Sequence, residues 1–263
     1  MAMFRRWLGL ACGAAAVILG GCDRQKPADG ATSPPDVVVL CAASLRVPVE
    51  EAAKAFSAAG EGKVAVQFGG SQSLFSMLAV AHRGDVFLPA DRSYLEVARA
   101  RDLVADEVPL AAMTAVVAVA KGNPKGIGTL ADLERSDVRL VLASPELAAI
   151  GRLTAAALPA EAWQRLLRRA VAVKPTVSDA AADVALGAAD AAIVWDVVIP
   201  QNPGLQSVAV PELSAVTADV VGGVARHSLQ PDRAAAFLRW LAAPERGGAV
   251  FRRLGYRDPL IPR

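Results

Sequence analysis

Residues 37–73 read VVVLCAASLRVPVEEAAKAFSAAGEGKVAVQFGGSQS, and the order of patterns in this stretch decides the fold. Val37-Val38-Val39-Leu40-Cys41 is a short unbroken apolar run, the pattern of a strand buried on both faces. Residues 47–57 place apolar side chains at helical spacing. Residues 63–68 alternate and predict a second strand, which Gly69-Gly70-Ser71 breaks before a helix over 72–82. Two such strands joined through a helix predict parallel pairing beneath covering helices.

The same alternation continues outward. Residues 85–89 predict a third strand, and 91–101 a helix with Asp91 as its N-cap. A second set begins with a strand over 114–120, a loop over 121–126, a short helix over 129–134 and a strand over 138–142. Helices over 149–158, 160–169 and 178–186, a strand over 190–194 and an edge strand over 205–210 complete that set. The tail supplies a strand over 218–224 and helices over 231–241 and 245–254. Two βα sets predict an α/β protein of two lobes, each a mixed, mostly parallel sheet flanked by helices. The expected boundaries are 37–115 with 216–263 for lobe 1 and 116–215 for lobe 2, the tail returning to the first.

Composition narrows the class. The 263 residues are 54% hydrophobic, enough to bury a large core and too many for a disordered chain. Cys12, Cys22 and Cys41 are the only cysteines, and the first two lie in the N-terminal segment, so no disulfide framework is expected. His82 and His227 are far apart in sequence, which argues against a histidine-rich metal site.

The N-terminus joins Arg5-Arg6 to a 15-residue apolar run over 7–21. That is short for a membrane span, which needs roughly 20 residues, and fits a secretory signal. The run ends Leu19-Gly20-Gly21-Cys22, which resembles the bacterial lipobox. The resemblance implies a signal peptide over 1–21, cleavage before Cys22 and a diacylglycerol on its sulfur, whereas an ordinary signal peptide would leave Cys22 incidental. Residues 22–36, rich in Pro, Gly and Ser, read as a flexible tether to the membrane. Removing 1–21 takes away Arg5 and Arg6 and leaves 26 basic against 26 acidic side chains, a balance that gives nucleic acid no basic face to bind.

In open α/β sheets ligands bind beyond the carboxyl ends of strands. There the sequence offers Ala42-Ala43-Ser44-Leu45 and Gly69-Gly70-Ser71-Gln72-Ser73, each putting a serine at the start of a helix. A helix start presents unpaired N–H groups and about half a positive charge, and paired glycines let backbone approach closely. Either serine alone is an ordinary N-cap. Two such turns on adjacent strands converge on an anion site, and the absence of Arg or Lys beside them implies binding by neutral donors.

At these residues the chain resembles the periplasmic molybdate-binding proteins. The resemblance runs over about 37–256 and includes Phe68-Gly69-Gly70-Ser71, residues 84–91 (GDVFLPAD), Lys121-Gly122-Asn123-Pro124, Ser144-Pro145-Glu146 and residues 189–195 (ADAAIVW). It implies the two-lobed type II periplasmic binding fold, with molybdate or tungstate held between the lobes and passed to an ABC permease and its ATPase. It implies no enzymatic activity and no cofactor. Ser44 and Ser71 become ligands by hydroxyl and N–H, Ile150 and Val177 by backbone N–H. Trp195 stands where the family carries a tyrosine, and it is either a donor through its indole N–H or a plain wall. Asp196, next to it, is expected to face away from an anion. The implied protein is a monomer in the periplasm or cell envelope, anchored through Cys22. Sulfate or phosphate is the alternative ligand. A secreted serine hydrolase using Ser71 is the alternative class, although Gly69-Gly70-Ser71-Gln72-Ser73 lacks the last glycine of a nucleophile elbow. Iron would need a tyrosine pair, and neither Tyr94 nor Tyr256 falls at an expected inter-lobe strand end.

Overall fold

Val37–Ala42 forms the central strand β1, flanked in parallel by β2 (Val64–Gly69) and β3 (Val86–Leu88). These strands belong to a computed structural model that describes residues 35–259. The signal segment 1–21, Cys22 and the tether as far as residue 34 lie outside the described residues.

Helix α1 (Arg46–Ala58) returns the chain from β1 to β2. Its Pro48 falls in the first turn, where a missing N–H leaves nothing unpaired. Val49, Ala52, Ala53 and Phe56 recur at helical spacing and are all buried. Helix α2 (Ser71–Ala81) leads from β2 to β3, and α3 (Arg92–Ala100) follows β3. Asp91 caps α3 as the sequence predicts, its carboxylate accepting the Ser93 N–H at 3.2 Å.

The next strand, β4 (Val104–Ala120), joins two sheets. Its first part pairs antiparallel with β9 (Thr217–Ala225), completing the order β2-β1-β3-β9-β4. Its last residues pair antiparallel with β7 (Ala191–Trp195) and β8 (Leu205–Val208). Beyond β7 lie β5 (Leu140–Ala143) and β6 (Ala172–Lys174), both in parallel pairings. Helices α4 (Ala149–Ala157), α5 (Ala160–Arg169) and α6 (Val177–Ala185) belong to this second sheet. The chain changes sheet at Thr114–Ala115, where Thr114 pairs with Thr217 and Ala115 with Trp195. The first sheet and its helices form one lobe, the second sheet and its helices the other.

The tail packs on the first sheet through α7 (Pro231–Ala242) and α8 (Gly247–Arg253). Phe56 of α1 meets Phe237 and Trp240 of α7 edge to face at 5.2 and 5.3 Å, contacts worth about 0.5–1.5 kcal/mol each beyond area burial.

Two elements depart from the sequence reading. Strand β4 begins at Val104 rather than at 114, and β6 falls within 170–177, to which the sequence pattern assigns no element. The first stretch of β4 hides its alternation behind register shifts around Asp106, which has φ 50, and Pro109.

Candidate functional site

The site is built from helix starts. The chain leaves β1 into a short 3-10 turn over Ala43–Leu45, leaves β2 through Gly70 into α2, leaves β5 towards α4, and leaves β6 through Thr176 into α6. In each α-helix the first N–H groups have no carbonyl one turn back to bind, so they point off the end. Thr176 takes one of them, its hydroxyl accepting the Asp179 N–H at 3.1 Å.

These four turns, with Ala90 and Trp195, enclose a small cavity of about 20 Å³. That is small beside the several hundred Å³ of a pocket for a drug-sized ligand and suits one compact guest. Ser44, Ser71, Ile150, Val177 and Trp195 all line it. Residues the sequence reading did not single out as ligands also line it, among them Ala90, Ala149 and Thr176. No lining side chain is charged.

The two serines differ in their bonding. Ser71, 2% exposed, accepts the Ala90 N–H at 3.1 Å, which leaves its own proton to donate. Ser44, 3% exposed, has a buried hydroxyl without a partner. Its carbonyl is held by the Tyr256 hydroxyl at 2.5 Å, which fixes the turn from behind. An unpaired buried hydroxyl costs about 1–3 kcal/mol, so Ser44 is poised for an acceptor supplied from the cavity. Helix starts, spare serine protons and the lack of a carboxylate together make a lining that favours an acceptor-only guest.

Asp196 faces elsewhere. Its carboxylate accepts the N–H groups of Thr114 and Val197, both at 3.0 Å, and so braces the point where β4 changes sheet. Among the residues lining the cavity, Ser71 has no titratable base beside it. His82 and His227, distant in sequence, pack edge to face with ring centroids 5.5 Å apart, and neither lines the cavity. Among the described residues no three His, Cys, Asp or Glu side chains cluster to hold a metal ion. Burial pushes the Tyr256 hydroxyl far above the usual tyrosine range, and the free Cys41 thiol is raised for the same reason.

The lobes touch across the cavity. The Gln72 N–H, at the start of α2, donates to the Leu147 carbonyl of the second lobe at 3.2 Å. Gly70 permits that approach. A Cβ there would lie 2.5 Å from the Leu147 oxygen and 2.9 Å from the Pro175 oxygen. Gly151 does the same within the second lobe, where a Cβ would meet the Ala143 oxygen at 2.4 Å. The first turn of α4, with Ile150, is therefore seated directly on the end of β5. Within the glycine pair 69–70, Gly70 thus serves lobe against lobe.

Comparison with known proteins bears on the family and the fold. The family described as bacterial extracellular solute-binding protein matches residues 37–257. The molybdate-binding protein ModA of Mycobacterium tuberculosis is 28% identical over 265 residues, spanning 97% of this chain and all of the relative. Among solved structures, the periplasmic molybdate-binding protein of Azotobacter vinelandii superposes with a TM-score of 0.71 at 17% identity, covering 86% of this chain and 100% of that one. The sulfate-binding protein SubI of Mycobacterium tuberculosis gives 0.68 at 18% identity, covering 86% and 87%. These likenesses show the two-lobed periplasmic binding fold.

Proposed function

The chain belongs to the family of bacterial extracellular solute-binding proteins, and from that premise we propose that it captures a fully deprotonated tetrahedral oxyanion, molybdate or tungstate, in the cavity between its lobes. The observation that carries this reading is the pair of buried serines, Ser44 without a partner and Ser71 with a proton to spare, on one small uncharged cavity. Ser44 and Ser71 bind by hydroxyl and backbone N–H, Ile150 and Val177 by backbone N–H. The indole N–H of Trp195 takes the place of the tyrosine hydroxyl.

Donors that do not titrate suit a guest whose oxygens all accept. Phosphate near neutral pH carries a proton that needs an acceptor, and no carboxylate lines this cavity. Sulfate shares the acceptor-only character and the neighbouring fold of SubI, and it differs by being smaller. If the donors are spaced for the larger anions, some fall short of sulfate oxygens, at about 1–3 kcal/mol for each unmatched donor.

Capture proceeds by closure. Residues 37–115 with 216–263 move as one lobe and 116–215 as the other, about the Thr114–Ala115 crossing. The guest shifts the equilibrium to the closed form only through contacts made when the second lobe arrives. The closed monomer delivers its guest to an ABC permease driven by a cytoplasmic ATPase. Cleavage before Cys22 and lipidation of its sulfur keep the protein at the cell envelope, with 22–36 as the tether that raises its local concentration near the permease.

Calorimetric titration tests the reading. Molybdate, tungstate, sulfate and phosphate are compared at equal ionic strength. Tight binding of the first two, with strong loss on replacing Ser44 and Ser71 together by alanine, is the expected result. No heat from any of the four anions would reject the ligand class.

A further inference from the structure

Resting on that reading of the cavity, we propose that Arg152 is a positioning residue that holds the two lobes shut over the bound anion. It stands on α4 of the second lobe, two residues after Ile150. Its guanidinium reaches across to the first lobe, where Nη2 contacts Asp91 Oδ1 at 2.5 Å and the hydroxyl of Ser93. Its Cζ also lies 5.1 Å from the centre of the Tyr94 ring, close enough for cation–π attraction. Tyr94 thus sits at the lobe interface and faces Arg152.

Each end of this contact is wired to the cavity wall. Asp91 directly follows Ala90, whose N–H holds the Ser71 hydroxyl. Arg152 sits in the helix whose first N–H groups face the guest. The lining of the neutral cavity supplies no ion pair of its own, whereas Asp91–Arg152 is a charge-assisted contact that joins the lobes beside it. Asp91 is buried and already oriented by its capping bond to Ser93, so its carboxylate is preset before the lobes meet. When the lobes part, Arg152 returns to water and Asp91 keeps its cap. The contact is therefore present only in the closed form, which is where it acts on release rather than on encounter.

The test uses the full chain, with Arg152→Gln, Asp91→Asn and the double variant; asparagine preserves the cap. Molybdate association and dissociation are followed by stopped-flow tryptophan fluorescence, since Trp195 lines the cavity. Amide exchange of Gln72, whose N–H bonds Leu147 across the lobes, is followed by NMR. Expected are an association rate within about twofold of wild type, dissociation faster on the order of tenfold, and faster exchange at Gln72, with the double variant no worse than either single one. Unchanged dissociation and unchanged Gln72 protection would overturn the proposal, as would additive losses in the double variant. If wild type binds no molybdate, the reading of the cavity falls by itself. The Gln72 comparison alone then decides on Arg152, and unchanged protection in Arg152→Gln overturns it.

Discussion

Replacing Gly70 by alanine adds one methyl group at a close approach between the lobes. Its φ of −71° and ψ of 146° suit alanine, so the first lobe accepts the change without backbone strain. The added Cβ, however, would sit 2.5 Å from the Leu147 oxygen and 2.9 Å from the Pro175 oxygen, both backbone atoms of the second lobe. Neither can rotate away as a side-chain tip would. The lobes must stand back by several tenths of an ångström, which also stretches the Gln72-to-Leu147 bond. Forced overpacking of this kind costs about 1–3 kcal/mol, and here it falls on the closed form alone. Since about 1.4 kcal/mol is a factor of ten, molybdate affinity drops by about 5- to 150-fold. Calorimetry gives the affinity, and thermal unfolding without ligand gives the stability. The expected pattern is weakened binding with an unlowered melting temperature. A Gly70→Ala protein that binds as tightly as wild type would refute closure at this contact. One that unfolds early would mean that the lobe contact supports the fold itself.

Ser44→Ala removes a buried hydroxyl that has no protein partner, so thermal stability without ligand should hold or rise while affinity falls. A hydrogen bond to a charged acceptor is worth about 1.5–3 kcal/mol, and titration should therefore show about a 10- to 150-fold loss. Trp195→Phe keeps the wall and deletes only the indole N–H. A measurable affinity loss with unchanged stability assigns Trp195 as a donor, and unchanged affinity assigns it as wall. Because no ionisable side chain lines the cavity, affinity for tungstate should stay flat between about pH 7 and about pH 9. A pronounced slope in that range would point to a titrating protein group at the guest. Asp132 gives the contrasting case. Hydrogen bonds from the Gly128 N–H, the Thr129 hydroxyl and the Thr129 N–H hold its carboxyl at about 2, below the ordinary 3.8. Its support of the 129–134 turn is complete above the unfolded value and is lost as pH falls through the folded one, so NMR signals of that turn should shift with a midpoint near pH 2 and stay put above about pH 4.

Much of this was legible from local pattern. The turns Ala42-Ala43-Ser44-Leu45 and Gly69-Gly70-Ser71 were readable because strand, break and helix start follow one another within a few residues. Strand β1 was readable because both its faces are apolar. What escaped depends on distant partners. The first part of β4 owes its place to β9, more than 100 residues later, and its bulge erases the alternation that would have announced it. The three-residue β6 is held by its parallel neighbour rather than by its own composition. Arg152 carries no local mark at all, since Asp91 and Ser93 lie about sixty residues away. Gly70 was read as making room for a guest, and only the folded chain adds that it also makes room for Leu147 and Pro175.

The most direct test of the uncharged, serine-bearing cavity is a crystal structure grown with molybdate, with anomalous data collected at the molybdenum edge. A single strong peak should lie between Ser44 and Ser71, with oxygens about 3 Å from both hydroxyls and from the first N–H groups of α4 and α6. A peak elsewhere on the molecule, or an empty cavity at saturating molybdate, would contradict it.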